Sequence, residues 1–517
     1  MLSRSFPLLS LLLSTVSSYN FLIVNPIYGY SHAKYLGKLA DVLADAGHKV
    51  TVFQHYHTVF KNSDKYVKNK NVEILNYFPD KYEEMLKKEA RTFPDFWDSP
   101  MMTNVVLSSF VMPDLLRKEF EKESTRVLKD KDLHQQLKDK KFDAVIVETF
   151  ESSGFYLAHL IGVIPIATMS SVRHPSQSLF GQPSILGYVP GEGSNLPPNA
   201  GFLDRLNDVY TKLFVSRMFH GLFEEQHKVY AAAIGGDVPH WEELVKRSPI
   251  FLTNGNPYLD FAVPSPGNIV QIEYEKILEE RDSTVLVSFG SVMRSYQMPP
   301  KFKAGVIKMF ENLPDVTFIW KYEIDDEELQ KRLPSNVHLK KWVPQPALLA
   351  DKRVKVFVTH GGLGSTMEVA HSGKPALMIP LFGDQPLNAQ MLARHGGAVA
   401  YNKYELPNGE KLTATMRDMV HSPKYKEHAE ELKHVLESQP IDPKETFLKH
   451  VEFAVKFPHF KSQIPEISGS GLIGFYYLDV IFFFSVILLI SLYLIVKLTL
   501  RIVRRFATVQ SRKSRTE

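Results

Sequence analysis

At 517 residues the chain is too long for one ordinary hydrophobic core, so two domains with appendages are expected. Its 61 lysines and arginines stand against 57 acids, and a net charge of +4 gives no whole-molecule field for drawing in nucleic acid. The sequence contains no cysteine, which excludes disulfides, thiol nucleophiles and thiolate metal sites and leaves stability to large cores.

Arg4, the apolar stretch Leu8–Val16 and the small residues Ser17 and Ser18 have the form of a cleaved secretory signal over residues 1–18. Residues 19–263 read as a first α/β domain. It opens with a predicted strand at Phe21–Asn25, a turn at Pro26–Tyr30 and a helix from Ser31. Leu36, Leu39, Val42 and Leu43 give that helix its apolar face, and Gly47 stops it. Strands are predicted at Lys49–Phe53, Val72–Leu75, Asp143–Val147 and Ile164–Thr168. Residues 80–140 read as charged helix, and Gly181–Ala200 as a Pro/Gly-rich loop of the kind that shapes binding pockets.

A linker is expected over 264–282, followed by a second α/β domain over 283–465. Its strands are predicted at Thr284–Ser288, Thr317–Tyr322, His338–Val343, Lys355–Thr359 and Ala376–Ile379. Strands alternating with helices indicate parallel sheets covered on both faces, with ligands beyond the carboxyl ends of the strands. His32, Ser291 and His360 each follow a strand end directly, so they can converge in a cleft between the halves.

Ser468–Gly471 leads flexibly into Val480–Val496, which is almost wholly apolar. Counted over 478–498, that run is long enough for one membrane crossing. Lys497, Arg501, Arg504, Arg505, Arg512, Lys513 and Arg515 accompany a single acid, Glu517, so the tail 499–517 is expected in the cytosol. A single-pass type I protein with a luminal body follows. The sequence has no N-x-[ST] sequon, so N-glycosylation is not expected.

The most specific chemistry lies between Trp342 and Gln385. Strand Lys355–Thr359 runs into His360-Gly361-Gly362-Leu363-Gly364-Ser365-Thr366, and a helical pattern of Met367, Val369 and Ala370 follows. Strand, glycine-rich turn and helix start together suit a diphosphate, because the backbone comes close and free N–H groups face the anion. Trp342 offers a flat face for a base, and Glu368 a carboxylate for ribose hydroxyls. Asp384 and Gln385 supply an acceptor and an amide for a sugar. His32, at a helix start beside Gly29, presents an imidazole whose basicity suits general-base work near neutrality.

Taken in one order, W-x-x-Q, T-H-G-G, a glutamate eight residues after the histidine and P-L-F-x-D-Q closely resemble the signature of the UDP-glycosyltransferases, the membrane-bound UDP-glucuronosyltransferase type in particular. The resemblance runs from residue 20 to the C-terminal tail. It implies a GT-B fold: two doubly wound, Rossmann-like parallel-sheet domains facing across a cleft, plus one C-terminal transmembrane helix. It implies an inverting transfer from a UDP-sugar, UDP-glucuronate or UDP-glucose, to a hydroxyl of a small lipophilic acceptor, with no cofactor and residence in the endoplasmic reticulum.

Carried onto this chain, the resemblance makes His32 the base and a carboxylate at the end of the Phe142–Val147 stretch its partner. The usual aspartate aligns with Glu148, with Glu151 as the competitor. His360, the backbone from Gly361 to Ser365 (Gly362 and Gly364 included) and Ser291 would hold the diphosphate. Trp342 would stack on uracil, Gln345 and Glu368 would face ribose, and Asp384 with Gln385 would face the sugar. Mammalian members usually have asparagine where this chain has Gly364, and the linker is shorter than is usual. A homo-oligomer is compatible with this reading. A glucosyltransferase of the same fold and a catalytically silent nucleotide-sugar-binding scaffold are the competing readings.

Asp130-Lys131-Asp132 spells D-x-D but lies in a charged helical stretch, and Asp325-Asp326 reads as a surface acidic run, so no metal is expected. His55, His57, His159 and His174 have no comparable context and read as surface or core residues.

Overall fold

The computed structural model describes residues 18–27, 29–56, 66–79, 97, 105–182, 190, 196, 200–261, 263, 266–272, 283–290, 293–351, 353–460, 473 and 478–513. Ser291, His57, all but the last residue of the expected signal, most of the Gly181–Ala200 loop and residues 273–282 of the expected linker lie outside the described residues.

The first sheet comprises β1 (Asn20–Ile27), β2 (Lys49–Tyr56), β3 (Glu73–Tyr77), β4 (Ala144–Glu148), β5 (Pro165–Met169), β6 (Phe251–Asn254) and β7 (Ile269–Ile272). The second comprises β8 (Ser283–Ser288), β9 (Thr317–Lys321), β10 (Val337–Lys340), β11 (Arg353–Thr359), β12 (Ala376–Met378) and β13 (Ala398–Ala400). Their orders are β3-β2-β1-β4-β5-β6-β7 and β10-β9-β8-β11-β12-β13. Every neighbouring pair is parallel. These are the two doubly wound sheets expected from the alternation of strands and helices. Each reverses direction once, between β1 and β4 and between β8 and β11, and such a switch point leaves a crevice at the strand ends.

The central strands are continuous apolar runs because both faces are covered. On one face of the first sheet Leu22, Val24, Val145 and Val147 pack with Phe155 and Leu157 of the helix Ser153–Ile161. On the other face, Phe21, Ile23, Ala144 and Ile146 pack with Leu36, Leu39 and Leu43 of the helix Tyr30–Asp45. Successive residues point to opposite faces, so one strand serves both layers. In the second sheet Val285, Val287, Val356 and Val358 meet Phe302, Val306 and Phe310 of the helix Pro300–Glu311. Leu286, Phe357, Ala376 and Met378 meet Val369, Ala370 and Leu392 behind.

Two features bear on the domain boundaries. Ile269–Ile272, assigned to the linker, is the edge strand of the first sheet, paired with β6. The helix Pro443–Lys456, counted in the second domain, lays Phe447, Val451 and Ala454 into the core of the first sheet. Its His48–Glu452 contact of 3.2 Å adds a polar tie.

Residues 462–517 form a separate compact unit. Its helix Leu478–Lys513 includes an apolar stretch, Leu478–Arg501, of 24 residues. At the helical rise that is about 36 Å, more than the roughly 30 Å hydrocarbon layer of a bilayer.

Candidate active site

His32 stands near the start of the helix that follows β1, and Glu148 is the last residue of β4. Because β1 and β4 are neighbours, with Val24 opposite Val147, the two residues come to the same strand-end crevice. His32 Nδ1 lies 2.7 Å from Glu148 Oε1. The backbone N–H of Ser170, just past β5, donates to the same carboxylate oxygen at 3.0 Å, and Ser170 Oγ lies 2.8 Å from His32 Nδ1. Burial alone would make the imidazole less basic. The charge and hydrogen bond of Glu148, joined by the charge of Asp384, outweigh it and raise the pKa above the ordinary histidine value. Asp384 belongs to the second sheet's lobe, so both halves act on His32.

Glu151, the competing carboxylate, is buried elsewhere. It accepts hydrogen bonds from Ser124 Oγ at 3.0 Å, Tyr230 OH at 2.6 Å and the backbone and hydroxyl of Ser153. Burial pushes its pKa up despite these donors.

At the second switch point β11 runs directly into His360. Gly361 has φ +81°, and Gly362 caps the helix Leu363–Ser372. Gly290, past the end of β8, has φ +83°, and a Cβ there would fall 2.6 Å from His360 Cε1. A Cβ on Gly362 would fall 2.7 Å from His360 Nε2. Glycine is therefore required at both positions for the imidazole to lie between the two loops. Burial, with the Lys321 charge beside it, holds the His360 pKa down to about 4, so the ring is neutral and offers a single N–H. A Cβ on Gly364 would meet nothing within 4 Å, so that part of the turn is open.

Lys321 was not among the residues picked out from the sequence. It ends β9, is buried, donates to Gly290 O at 2.6 Å and pairs with Glu323 at 3.2 Å. Its ammonium also sits 5.5 Å from the centre of the Trp342 ring, which is 67% exposed and so can receive a base. The legible signal was a lysine closing an otherwise apolar strand.

Gln345 Nε2 donates to Ser365 Oγ at 3.0 Å and to Glu368 Oε2 at 2.8 Å, so the three proposed ribose and phosphate ligands form one cluster. Lys34, two residues past His32, reaches the other Glu368 oxygen at 3.3 Å. The helix that carries His32 thus touches Glu368 across the cleft. Asp384 accepts from Asn388 Nδ2 at 2.9 Å, and the same amide donates to Gly361 O at 3.0 Å. Asn388, also missed from the sequence, ties the aspartate to the glycine turn. Burial raises the Asp384 pKa, and Asn388 and His32 oppose it. The Gln385 carbonyl accepts from the backbone N–H groups of Leu381 at 2.9 Å and Phe382 at 3.2 Å. It shapes the turn, and the amide nitrogen is the part of this side chain suited to a sugar hydroxyl.

The acidic runs have structural duties. Asp130 caps the helix Lys131–Asp139 through Leu133 N–H and accepts from Tyr77 OH, and Asp326 caps the helix Glu327–Arg332.

Comparison with known proteins bears on the same region. Residues 21–513 match the family described as UDP-glucoronosyl and UDP-glucosyl transferase. UDP-glucuronosyltransferase 3A1 of Bos taurus is 27% identical over 503 residues, covering 91% of each chain. UDP-glucosyltransferase 2 of Dactylopius coccus is 26% identical over 506 residues, covering 93% of this chain and 92% of its own. The crystal structure of LpCGTa in complex with UDP superposes with a TM-score of 0.58 at 18% identity, over 85% of this chain and 100% of that one. The likeness is to the GT-B arrangement of two Rossmann-like lobes. With nearly the whole chain matched, the protein belongs to the family of UDP-glucuronosyl and UDP-glucosyl transferases and is a UDP-sugar-dependent glycosyltransferase.

Proposed function

We propose that the protein transfers a hexose from its UDP-sugar to a hydroxyl of a small lipophilic acceptor, by one displacement with inversion, using His32 as the base. The observation that carries this is the 2.7 Å His32–Glu148 pair at one switch point, with Asp384 of the other lobe close enough to act on the same imidazole. Glu148 at Nδ1 selects the tautomer that presents Nε2 as the proton acceptor. Nε2 takes the hydroxyl proton as the acceptor oxygen bonds to the anomeric carbon. The bond from that carbon to the diphosphate breaks on the opposite side. Negative charge then grows on the diphosphate, where the His360 N–H and the helix start at Gly362 are preorganised to receive it. Trp342 stacks on the uracil, Gln345 and Glu368 hold the ribose, and Asp384 with the Gln385 amide holds the sugar.

The donor is UDP-glucuronate in this reading, after the bovine relative. UDP-glucose, the donor named for the Dactylopius coccus relative, is the competing one. The helix Leu478–Lys513 anchors the chain once in the membrane of the endoplasmic reticulum, with both lobes luminal. Microsomes carrying the full chain, offered each UDP-sugar with 4-methylphenol, test the donor: the expected product is the glucuronide. Formation of the glucoside alone would transfer the reading to UDP-glucose.

A further inference from the structure

A single displacement joins an oxygen activated in the first lobe to a carbon held by the second, so the separation of the lobes enters the reaction directly. The reacting atoms must come within about 3–3.5 Å, and a misplacement of about 1 Å is costly. Several polar bridges cross between the lobes. Arg394, at the end of the helix Gln385–Ala393, donates to the carbonyls of Leu259 and Asp260, and Asn256 Nδ2 donates to Gln439 Oε1 at 3.2 Å. These start from the segment between β6 and β7, which carries no residue of the proposed site.

Lys34 differs. It lies two residues past His32 on the helix Tyr30–Asp45, which is fixed to the first sheet by Leu36, Leu39 and Leu43. Its ammonium meets Glu368 Oε1 of the second lobe at 3.3 Å. The pair thus joins the helix of the base to the carboxylate proposed for the ribose.

Glu368 is held without Lys34. Its side chain is 17% exposed, and Gln345 Nε2, from the same lobe, donates to Oε2 at 2.8 Å and to Ser365 Oγ at 3.0 Å. An ionised carboxylate offers about four acceptor positions. With Gln345 and Lys34 on two of them, the other two suffice for the ribose hydroxyls. The cross-lobe pair is therefore compatible with a bound donor.

We propose that Lys34 is a positioning residue for the transfer: its pair with Glu368 sets the distance between the His32 helix and the donor, without touching the nucleotide. This assignment rests on the transferase reading above. The Lys34 side chain is 44% exposed, so water screens the pair and its effect is moderate.

The test uses the full-length membrane-bound chain. Lys34→Met keeps a long stem and drops the charge, and Lys34→Arg keeps the charge. At saturating UDP-sugar and 4-methylphenol, kcat in Lys34→Met is expected to fall about fivefold, while UDP affinity by calorimetry changes by less than about twofold. Lys34→Arg is expected to recover most of the turnover. The lobes can be followed directly, because the chain has no cysteine and two introduced ones report alone. Gln136 and Glu427 are exposed on the helices Lys131–Asp139 and Pro423–Glu437, which pack in the first and second lobes. Spin labels on Gln136→Cys and Glu427→Cys are expected to give one narrow distance distribution with Lys34 present and a broader one in Lys34→Met.

Unchanged kcat or an unchanged distribution in Lys34→Met overturns the assignment. So does a loss of UDP affinity that matches the loss of turnover, which would make Lys34 part of the nucleotide site. Equal loss in Lys34→Met and Lys34→Arg would show that the stem matters rather than the charge, and a rise in kcat would show a brake on product release; each overturns it. Should Lys34→Met not fold, Lys34→Gln, equally uncharged, carries the same expectations. A wild type that transfers sugar to no phenol removes the transferase reading, and this assignment with it.

Discussion

Replacing His32 by alanine is expected to lower turnover by about 10²- to 10⁴-fold while UDP binds nearly as tightly as before. The residues proposed for UDP lie in the second lobe, after β8, β10 and β11, and none takes its position from the imidazole. The His32 ring touches Glu148, Ser170 and Phe150, all in the first lobe. Deleting it removes the proton acceptor and leaves the UDP cradle intact. Turnover by single-time-point product formation, with UDP affinity by calorimetry on the same preparation, separates the two. Parallel loss of both would mean that His32 builds the cleft rather than serving as base.

Glu148→Gln should be nearly as damaging, by about 10²-fold or more in kcat, though the side chain keeps its size. The glutamine amide can donate to Nδ1, which forces the proton to Nε2 and leaves the ring in the wrong tautomer. A second signature accompanies the loss. Glu148 raises the His32 pKa against the opposing effect of burial, so the wild-type base is protonated, and idle, over a wider acid range. With the carboxylate gone, burial is opposed only by Asp384, and the pKa falls. The acid limb of kcat/KM against pH should therefore move to lower pH in the residual activity of Glu148→Gln. A limb that stays in place would mean that it reports another group.

The central strands were readable because β1, β4, β8 and β11 each hold three or more consecutive apolar residues, which stand out from the flanking polar sequence. β6, β7 and β13 were not: each has three or four residues and sits at or near a sheet edge, where little apolar length is needed. The helix Pro443–Lys456 shows an apolar stripe in the sequence, but a stripe does not name the sheet it will cover. In the site, residues next to a strand end or inside the glycine turn could be picked out individually. Choosing Glu148 over Glu151 needed the side-chain contacts, because both lie within four residues at the end of the same strand. Lys321, Asn388 and Ser170 come from strands and loops that meet only after the sheet is ordered. His174 was read as a surface or core residue, and burial is indeed its condition.

The claim on which the rest depends is a single displacement across the crevice, with the base in one lobe and the leaving diphosphate in the other. The anomeric configuration of the product, read by proton NMR after transfer from an α-linked UDP-sugar, tests it most directly. A β-glycoside is predicted, because the acceptor oxygen activated by His32 must approach opposite the diphosphate. An α-glycoside would contradict the account, since retention requires a path that His32 and Glu148 do not provide.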